Sequence, residues 1–281
     1  MKIGDYTLTP IVTGNFRLDG GAMFGVVPRV LWEKTNPPDE KNRIQMTMRA
    51  LLVQGNGRRI LIDNGVGDKY DDKFGRMFHI DHTHSTVEKS LSEIGLKTED
   101  ITDVILTHLH FDHCGGSTRH EGSEIVPTFS RARYFVHKEQ YEHALKRNER
   151  DRASYFPENF EPLMAAGQLK LLTRPAMISS GIETLVVGGH TPGQQLVRIS
   201  HGSSTVLYSA DLIPTASHIP LPYIMAYDLF PMTTLEEKRR ILPQAHAEGW
   251  ILFFEHDPFR AAAKVAKSDK GFFMGEEVSL T

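Results

Sequence analysis

Four short apolar runs in this chain each stop on a histidine or an aspartate, and no other feature narrows the possible folds as far. "DVIL" leads into "THLHFDHCGG" (107–116), "LVVGG" delivers His190, "TVLYSA" delivers Asp211 and "ILFFE" delivers His256. Short apolar runs bounded by turn formers read as buried strands. Donors that each follow such a strand converge along one edge of a sheet, so the chain has to bring distant segments side by side. Imidazole nitrogen and carboxylate oxygen are the atoms that zinc and its first-row neighbours accept as ligands. His108 and His110 point the same way because side chains alternate along a strand. His113, directly after Asp112, points elsewhere, so one cluster can address two ions.

The surrounding pattern alternates short strands with helices. "MTMRALLVQ" (Met46–Gln54) and "RRILIDNG" (Arg58–Gly65) are joined by "GNG", a hairpin signal. "STVEKSLSEIGL" offers Ser85 and Thr86 as N-caps, spaces Val87, Leu91 and Ile94 on one face and stops at Gly95, which predicts an amphipathic helix. "RYFVH" predicts a strand, followed by a helix over "KEQYEHALKRNER" whose charges form a solvated face. "IETLVVGG", "QLVRIS", "STVLYSAD" and "WILFFEHD" predict further strands. "TLEEKRRILPQAHAEG" places Thr234 and Glu237 at capping-box spacing, with Pro243 expected to kink or divide the helix. Two Gly-, Pro- and aromatic-rich segments, "FRLDGGAMFGVVPRVLWEKTNPPDEKN" and "LIPTASHIPLPYIMAYDLFP", predict long ordered loops that wall a substrate site.

Composition removes several classes of function. The net charge of -3 lacks the basic excess of a nucleic-acid binder. No segment reaches the roughly 20 consecutive apolar residues of a membrane span. The alternating N-terminus "MKIGDYTLTPIVTG" does not have the form of a secretion signal. Cys114 is the one cysteine, which precludes an internal disulfide and fits a reducing compartment; a small packed side chain is its expected role. These points predict a cytoplasmic globular protein, a single domain over 1–281, acting on a small molecule rather than on nucleic acid or membrane. The oligomeric state stays open at this point; a homodimer is one option, since the long N-terminal loop could close a neighbour's pocket. His79, His82 and His84 repeat the HxH spacing but follow no strand, so surface or loop-capping roles are expected for them.

HxHxDH at 108–113, "GGHTPG" (188–193), "SAD" (209–211) and "FEHD" (254–257), in this order, closely resemble the metallo-β-lactamase-fold hydrolases. The resemblance runs from about Ile44 to His256. It implies an α/β (α+β) fold, a four-layer αββα sandwich with a two-metal site at one sheet edge. It also implies two divalent ions, zinc first, with manganese, cobalt or iron as alternatives. His108, His110 and His190 would hold one ion, Asp112, His113 and His256 the other, and Asp211 would bridge them. Asp63 in "LIDNG" would orient a ligand histidine from behind. Within the superfamily, "LDGGAMFGVVP" and "ADLIPTASHIPLPYIMAYDLFPMT" are similar to the quorum-quenching lactonase branch, near acyl-homoserine lactonases and methyl parathion hydrolase. The tyrosine that acyl-homoserine lactonases carry three residues after the bridging aspartate is Pro214 here.

Water shared by two cations ionises near neutral pH, about 7 against about 15.7 in bulk, and the hydroxide can attack a carbonyl or phosphoryl centre. The expected activity is therefore metal-dependent opening of N-acyl homoserine lactones or related lactones, with Asp112 passing a proton to the leaving oxygen. His218 and Tyr223 are the candidates to hydrogen-bond the reacting oxygen in place of the absent tyrosine. Met23, Phe24, Val26, Ile219, Leu221 and Met225 are the expected apolar pocket. Arylester, organophosphate or β-lactam hydrolysis would use the same site, and a mononuclear iron oxygenase would use part of it.

Overall fold

Alternation along the central strands decides the architecture. In the strand Arg43–Gly55, Ala50 and Leu52 face one apolar cluster while Leu51 and Val53 face another, and all four are buried. Leu61 separates Ile60 and Ile62 in the same way, and Val104 and Ile105 divide likewise. Side chains on successive strand residues point to opposite faces, so a strand apolar at every position must be covered on both. The computed structural model, which describes residues 1–280, meets that requirement with two facing seven-stranded sheets and helices on their outer sides.

The first sheet runs in the order β1 (Lys2–Ile3), β2 (Tyr6–Asp19), β3 (Arg43–Gly55), β4 (Arg58–Ile62), β5 (Asp103–Ile105), β8 (Arg133–His137) and β9 (Leu169–Leu172). A small hairpin, β6 (Thr118–Glu121) with β7 (Glu124–Pro127), projects from it. The second sheet orders β10 (Met177–Ser179), β11 (Ile182–Val187), β12 (Gln194–His201), β13 (Ser204–Tyr208), β14 (Ile251–Phe253), β15 (Ala262–Ser268) and β16 (Gly271–Glu277). β4, β5, β8 and β9 are parallel neighbours, as are β13 and β14; the remaining pairs are antiparallel. Parallel neighbours need a crossover, and helices supply it. Ile62 lies opposite Ile105, and Tyr208 opposite Phe253, so the C-terminal ends of β4 with β5, and of β13 with β14, are level. Open α/β sheets bind ligands at such ends.

Local signals explain most of the elements. The turn between β3 and β4 places Asn56 (φ 49°) and Gly57 (φ 72°) in the left-handed region, as a two-residue hairpin turn requires. The predicted helix over 85–96 is Val87–Glu93, capped by Thr86, whose hydroxyl accepts the Lys89 N–H at 3.2 Å. The C-terminal helix differs from expectation. It begins at Pro231 and runs undivided through Pro243 to Ala247. Thr234 and Glu237 form no capping box: Thr234 donates to Asp228 at 2.8 Å, and Glu237 accepts the Gly188 and Gly189 N–H groups at 2.7 and 3.2 Å. Glu237 thus holds the loop before His190, and Thr234 holds the aspartate that stands behind that histidine.

The two irregular segments are folded more tightly than a loop reading suggests. β2 extends to Asp19, and short helices follow at Gly20–Phe24 and Arg29–Trp32. Phe24 stacks between Trp32 and His218, with ring centroids 5.3 and 4.6 Å away. Segment 218–223 wraps around the fully buried Lys238, which donates to the carbonyls of His218, Pro220 and Tyr223 at 2.7, 2.8 and 2.9 Å. Burial brings the Lys238 ammonium down to about 7, and Asp228 pulls in the opposite direction. No helix among the described residues is long and apolar enough to cross a membrane.

Candidate metal centre

The strand ends deliver their donors to one place. The ligand atoms of His108, His110, His190 and Asp211 all lie within 4.8 Å of one another, and so do those of Asp112, His113 and His256. His110 Nδ1 is 3.0 Å from His108 Nε2 and 3.1 Å from His190 Nε2. His113 Nε2 and His256 Nε2 face each other at 3.1 Å. Asp211 spans the two groups: Oδ2 lies 3.2 Å from His190 Nε2 and 3.5 Å from His113 Nε2, while Oδ1 lies 3.2 Å from His256 Nε2. Ala210, just before it, takes φ 43°, a left-handed conformation costly for alanine that turns the carboxylate back over the cradle.

The outward nitrogens are committed elsewhere. His190 Nδ1 lies 2.8 Å from Asp228 Oδ1, His256 Nδ1 lies 2.9 Å from the Thr47 carbonyl, and His108 Nδ1 lies 3.0 Å from the Thr107 hydroxyl. His113 Nδ1 lies 3.1 Å from Asp63 Oδ2 and 3.0 Å from Glu255 Oε2. A proton held on the outer nitrogen of His113, His190 and His256 leaves each inner nitrogen as a bare lone pair. Bare lone pairs converging at about 3 Å repel unless a cation sits between them, and a cysteine-free set of imidazoles and carboxylates is the chemistry of an open metal site rather than a closed structural one. The donors therefore fit divalent ions.

Electrostatics of the protein alone agree. Burial and neighbouring imidazoles hold His108 and His110 well below the usual histidine range. At His113, burial works against charge but Glu255, Asp211 and Asp112 outweigh it and raise the ring. His256 is similarly lifted to about 9, chiefly by Asp211 against burial. Burial alone would raise Asp211, but the surrounding rings keep it well below the usual carboxylate range. Cation charge is what this carboxylate-lined cradle lacks.

The seven predicted donors and Asp63 are thus brought together. The predicted wall is not. Met23 and Met225 do line the cleft over the donors, a space of about 300 Å³ whose apolar wall also includes Leu18, Met46, Phe78 and Phe111. Phe24, Ile219 and Leu221 pack into the core instead, and Val26 is 90% exposed. Neither expected hydrogen-bond donor reaches the cleft. His218 is buried with both nitrogens engaged, Nε2 at 2.8 Å from the Met23 carbonyl and Nδ1 at 2.7 Å from the Thr215 hydroxyl. Tyr223 turns edge-on to Phe24. Cys114 is buried, its thiol donating to the Leu109 carbonyl at 3.4 Å. His79 ends the Asp72–Phe78 helix in a left-handed cap, His84 is exposed and His82 half-buried.

Asp228, Glu255, Tyr227 and Arg150 were not legible beforehand. Tyr227 and Arg150 line the cleft, and Arg150 donates to the Ala226 carbonyl at 2.7 Å, tying its loop to the one that carries Tyr227. Asp228 lies 38 positions from its histidine, beyond the reach of any local pattern. Glu255 stood in "FEHD" beside a ligand histidine, and that adjacency was the available signal.

Comparison with known proteins supplies the family context. The sequence model of the metallo-beta-lactamase superfamily matches residues 49–256. An N-acyl homoserine lactonase of Bacillus thuringiensis is 28% identical over 170 residues, 59% of this chain and 60% of that protein, so the chain spans under two thirds of the length of these curated relatives. The crystal structure of a probable metal-dependent hydrolase from Staphylococcus aureus superposes with a TM-score of 0.89 at 29% identity, covering 99% of this chain and 100% of that one. AidC, described as a dizinc quorum-quenching lactonase, superposes with a TM-score of 0.81 at 22% identity, covering 99% and 97%; this likeness is one of fold.

Proposed function

Since the chain belongs to the metallo-beta-lactamase superfamily and carries a His/Asp metal site, we propose that this metallo-hydrolase opens lactones, N-acyl homoserine lactones first among them. One observation carries the reading: the two donor groups share Asp211 at the floor of a cleft whose wall is largely apolar, which suits an ester joined to an acyl tail. The Bacillus thuringiensis relative, named for that activity, supports it.

In this reading His108, His110 and His190 would hold one ion and Asp112, His113 and His256 the second, with Asp211 lying between the two groups. Divalent cations held there would supply Lewis acidity and a bound water whose pKa is lowered towards about 7. The protein's own groups do the rest. Asp228, Thr107, Asp63 and the Thr47 carbonyl fix the rings from behind, so the inner nitrogens are aimed before substrate arrives. The apolar wall takes the acyl chain and excludes water. Asp112, which lines the cleft, passes a proton through a carboxylate oxygen to the ring oxygen as it departs. Water oxygen adds to the carbonyl carbon, the ring C–O bond breaks, and a hydroxy-carboxylate and one proton result. Tyr227, which lines the cleft, is the candidate to donate a hydrogen bond to the bound substrate, the role that the sequence assigns to His218 or Tyr223.

The test pairs metal content with a substrate panel. About two ions per chain and proton release from acyl-homoserine lactones, faster than from paraoxon-like esters or β-lactams, are expected. Two ions with turnover confined to the phosphotriester or β-lactam would reject the lactone assignment and keep the hydrolase. One tightly held iron with no hydrolysis would reject both.

A further inference from the structure

Two carboxylates flank one ring nitrogen. His113 Nδ1 has Asp63 Oδ2 at 3.1 Å and Glu255 Oε2 at 3.0 Å, and all three residues are buried to within 1%. Asp63 is well furnished: it accepts the Thr107 N–H at 2.8 Å, the Thr107 hydroxyl at 2.6 Å and the Tyr208 hydroxyl at 3.4 Å. The His113 N–H is directed at Asp63. Glu255 has no such set. Beyond the charge contact with His113 Nδ1, neither of its oxygens has a partner of full hydrogen-bond geometry among the described residues.

A carboxylate taken out of water without donors costs several kcal/mol, so it persists only where cationic charge compensates it. Two sources are at hand. The guanidinium of the buried Arg49, which donates to the Phe254 carbonyl at 2.8 Å, feels the charge of Glu255. The other source lies across the imidazole, where His113 Nε2 faces the Asp112–His113–His256 group. The other donor group is furnished differently: one carboxylate, Asp228, stands behind His190, and a neutral hydroxyl behind His108. The extra negative charge is thus placed behind one group only.

We infer that Glu255 is a positioning residue for the ion held by Asp112, His113 and His256, its carboxylate flanking His113 Nδ1 beside Asp63 and strengthening Nε2 as a donor. The inference rests on the two-ion reading above. Charge behind an imidazole raises its basicity towards the metal, and loss of such partners weakens affinity by about 10- to 100-fold. Arg49 and the raised His113 ring offset only part of that cost, so Glu255 is a burden to the metal-free protein, and the added charge of an ion makes it an asset to the loaded one.

The experiment uses the full chain with Glu255→Gln and, as a second shape-matched variant, Glu255→Met. Zinc binding is followed by chelator competition, and thermal unfolding is measured with and without metal. One ion should weaken about 10- to 100-fold while the other stays within about twofold, and the metal-free variants should melt no lower than the metal-free wild type. Both ions at wild-type affinity, or both weakened together with a lower metal-free melting temperature, would overturn the role of Glu255. A wild-type protein that takes up only one zinc under excess metal would overturn the two-ion reading and this inference with it.

Discussion

The metal cradle and the cleft wall above it are built on different principles. The cradle donors follow strand ends, with Asp112 and His113 carried on the short helix Phe111–Cys114 beyond β5, and four of the five ligand histidines have the outward nitrogen held by a neighbour. The wall is of mixed origin: Leu18 and Met46 come from strands, while Met23 and Met225 come from the two irregular segments. A few buried polar side chains hold those segments, His218 joining Thr215 to Met23 and Lys238 gathering the carbonyls of 218, 220 and 223 behind it. The cradle's geometry is set by two sheets whose burial fixes register residue by residue. The irregular part of the wall hangs on single contacts. Chemistry and substrate choice are therefore separable in this molecule, and damage to one need not reach the other.

The largest expected effect comes from breaking the cradle alone. Asp211→Asn keeps the shape and removes the charge that both groups share. Turnover should fall on the order of 1,000-fold, as when a group that stabilises developing charge is lost. Metal content should drop below that of the wild type while circular dichroism is unchanged. A variant that keeps two ions and its kcat/KM would show that Asp211 is no bridge and that the cradle does not work as one unit.

The same contrast governs how far the sequence could be read. The donors were legible because a strand followed by His or Asp is a local pattern, and the parallel pairing of β4 with β5 and of β13 with β14 does the remaining alignment. The hairpin turn at Asn56–Gly57 and the Thr86 cap were legible for the same reason. The wall was not. Whether Phe24 faces a cleft or sandwiches between Trp32 and His218 depends on residues far along the chain. His218 has the composition of a catalytic residue and the environment of a structural one. Thr234 and Glu237 match a capping box, yet tertiary partners claimed both side chains. Short-range patterns predict ends of elements; they do not tell which side chain a long-range neighbour will take.

A smaller effect should loosen the wall and spare the cradle. Burial lowers His218 to about 4, below its ordinary 6.5. Its neutral ring donates from Nε2 to the Met23 carbonyl and accepts at Nδ1 from Thr215; a proton on Nδ1 removes that acceptor. A folded value below the unfolded one means the stability is fully present above pH 6.5 and is lost as pH falls towards 4. Denaturant titrations of wild type and His218→Asn should show a gap in wild type's favour at pH 7. That gap should narrow by roughly 3 kcal/mol at pH 4. Zinc stoichiometry at pH 7 should be the same in both. A gap that does not change with pH would mean that His218 titrates freely and pins nothing.

The smallest effect separates wall from cradle most cleanly. Tyr227 sits in the cleft, between Ala226, which Arg150 grips through its carbonyl, and Asp228, which holds His190. The loop is thereby fixed at both sides of the tyrosine, and burial holds the phenol up at about 12, so it remains a donor throughout the working range of a hydrolase. Tyr227→Phe should remove the proposed hydrogen bond to substrate while leaving the ring, the fold and the metal donors unchanged. One such bond is worth about 1.4 kcal/mol, or about tenfold in kcat/KM. The loss should be seen with acyl-homoserine lactones and should shrink for simple lactones without an acyl amide, if the phenol reads the amide rather than the reacting carbonyl. An equal loss with both would move its contact to the ester itself, and no loss with either would leave the wall purely apolar in its recognition.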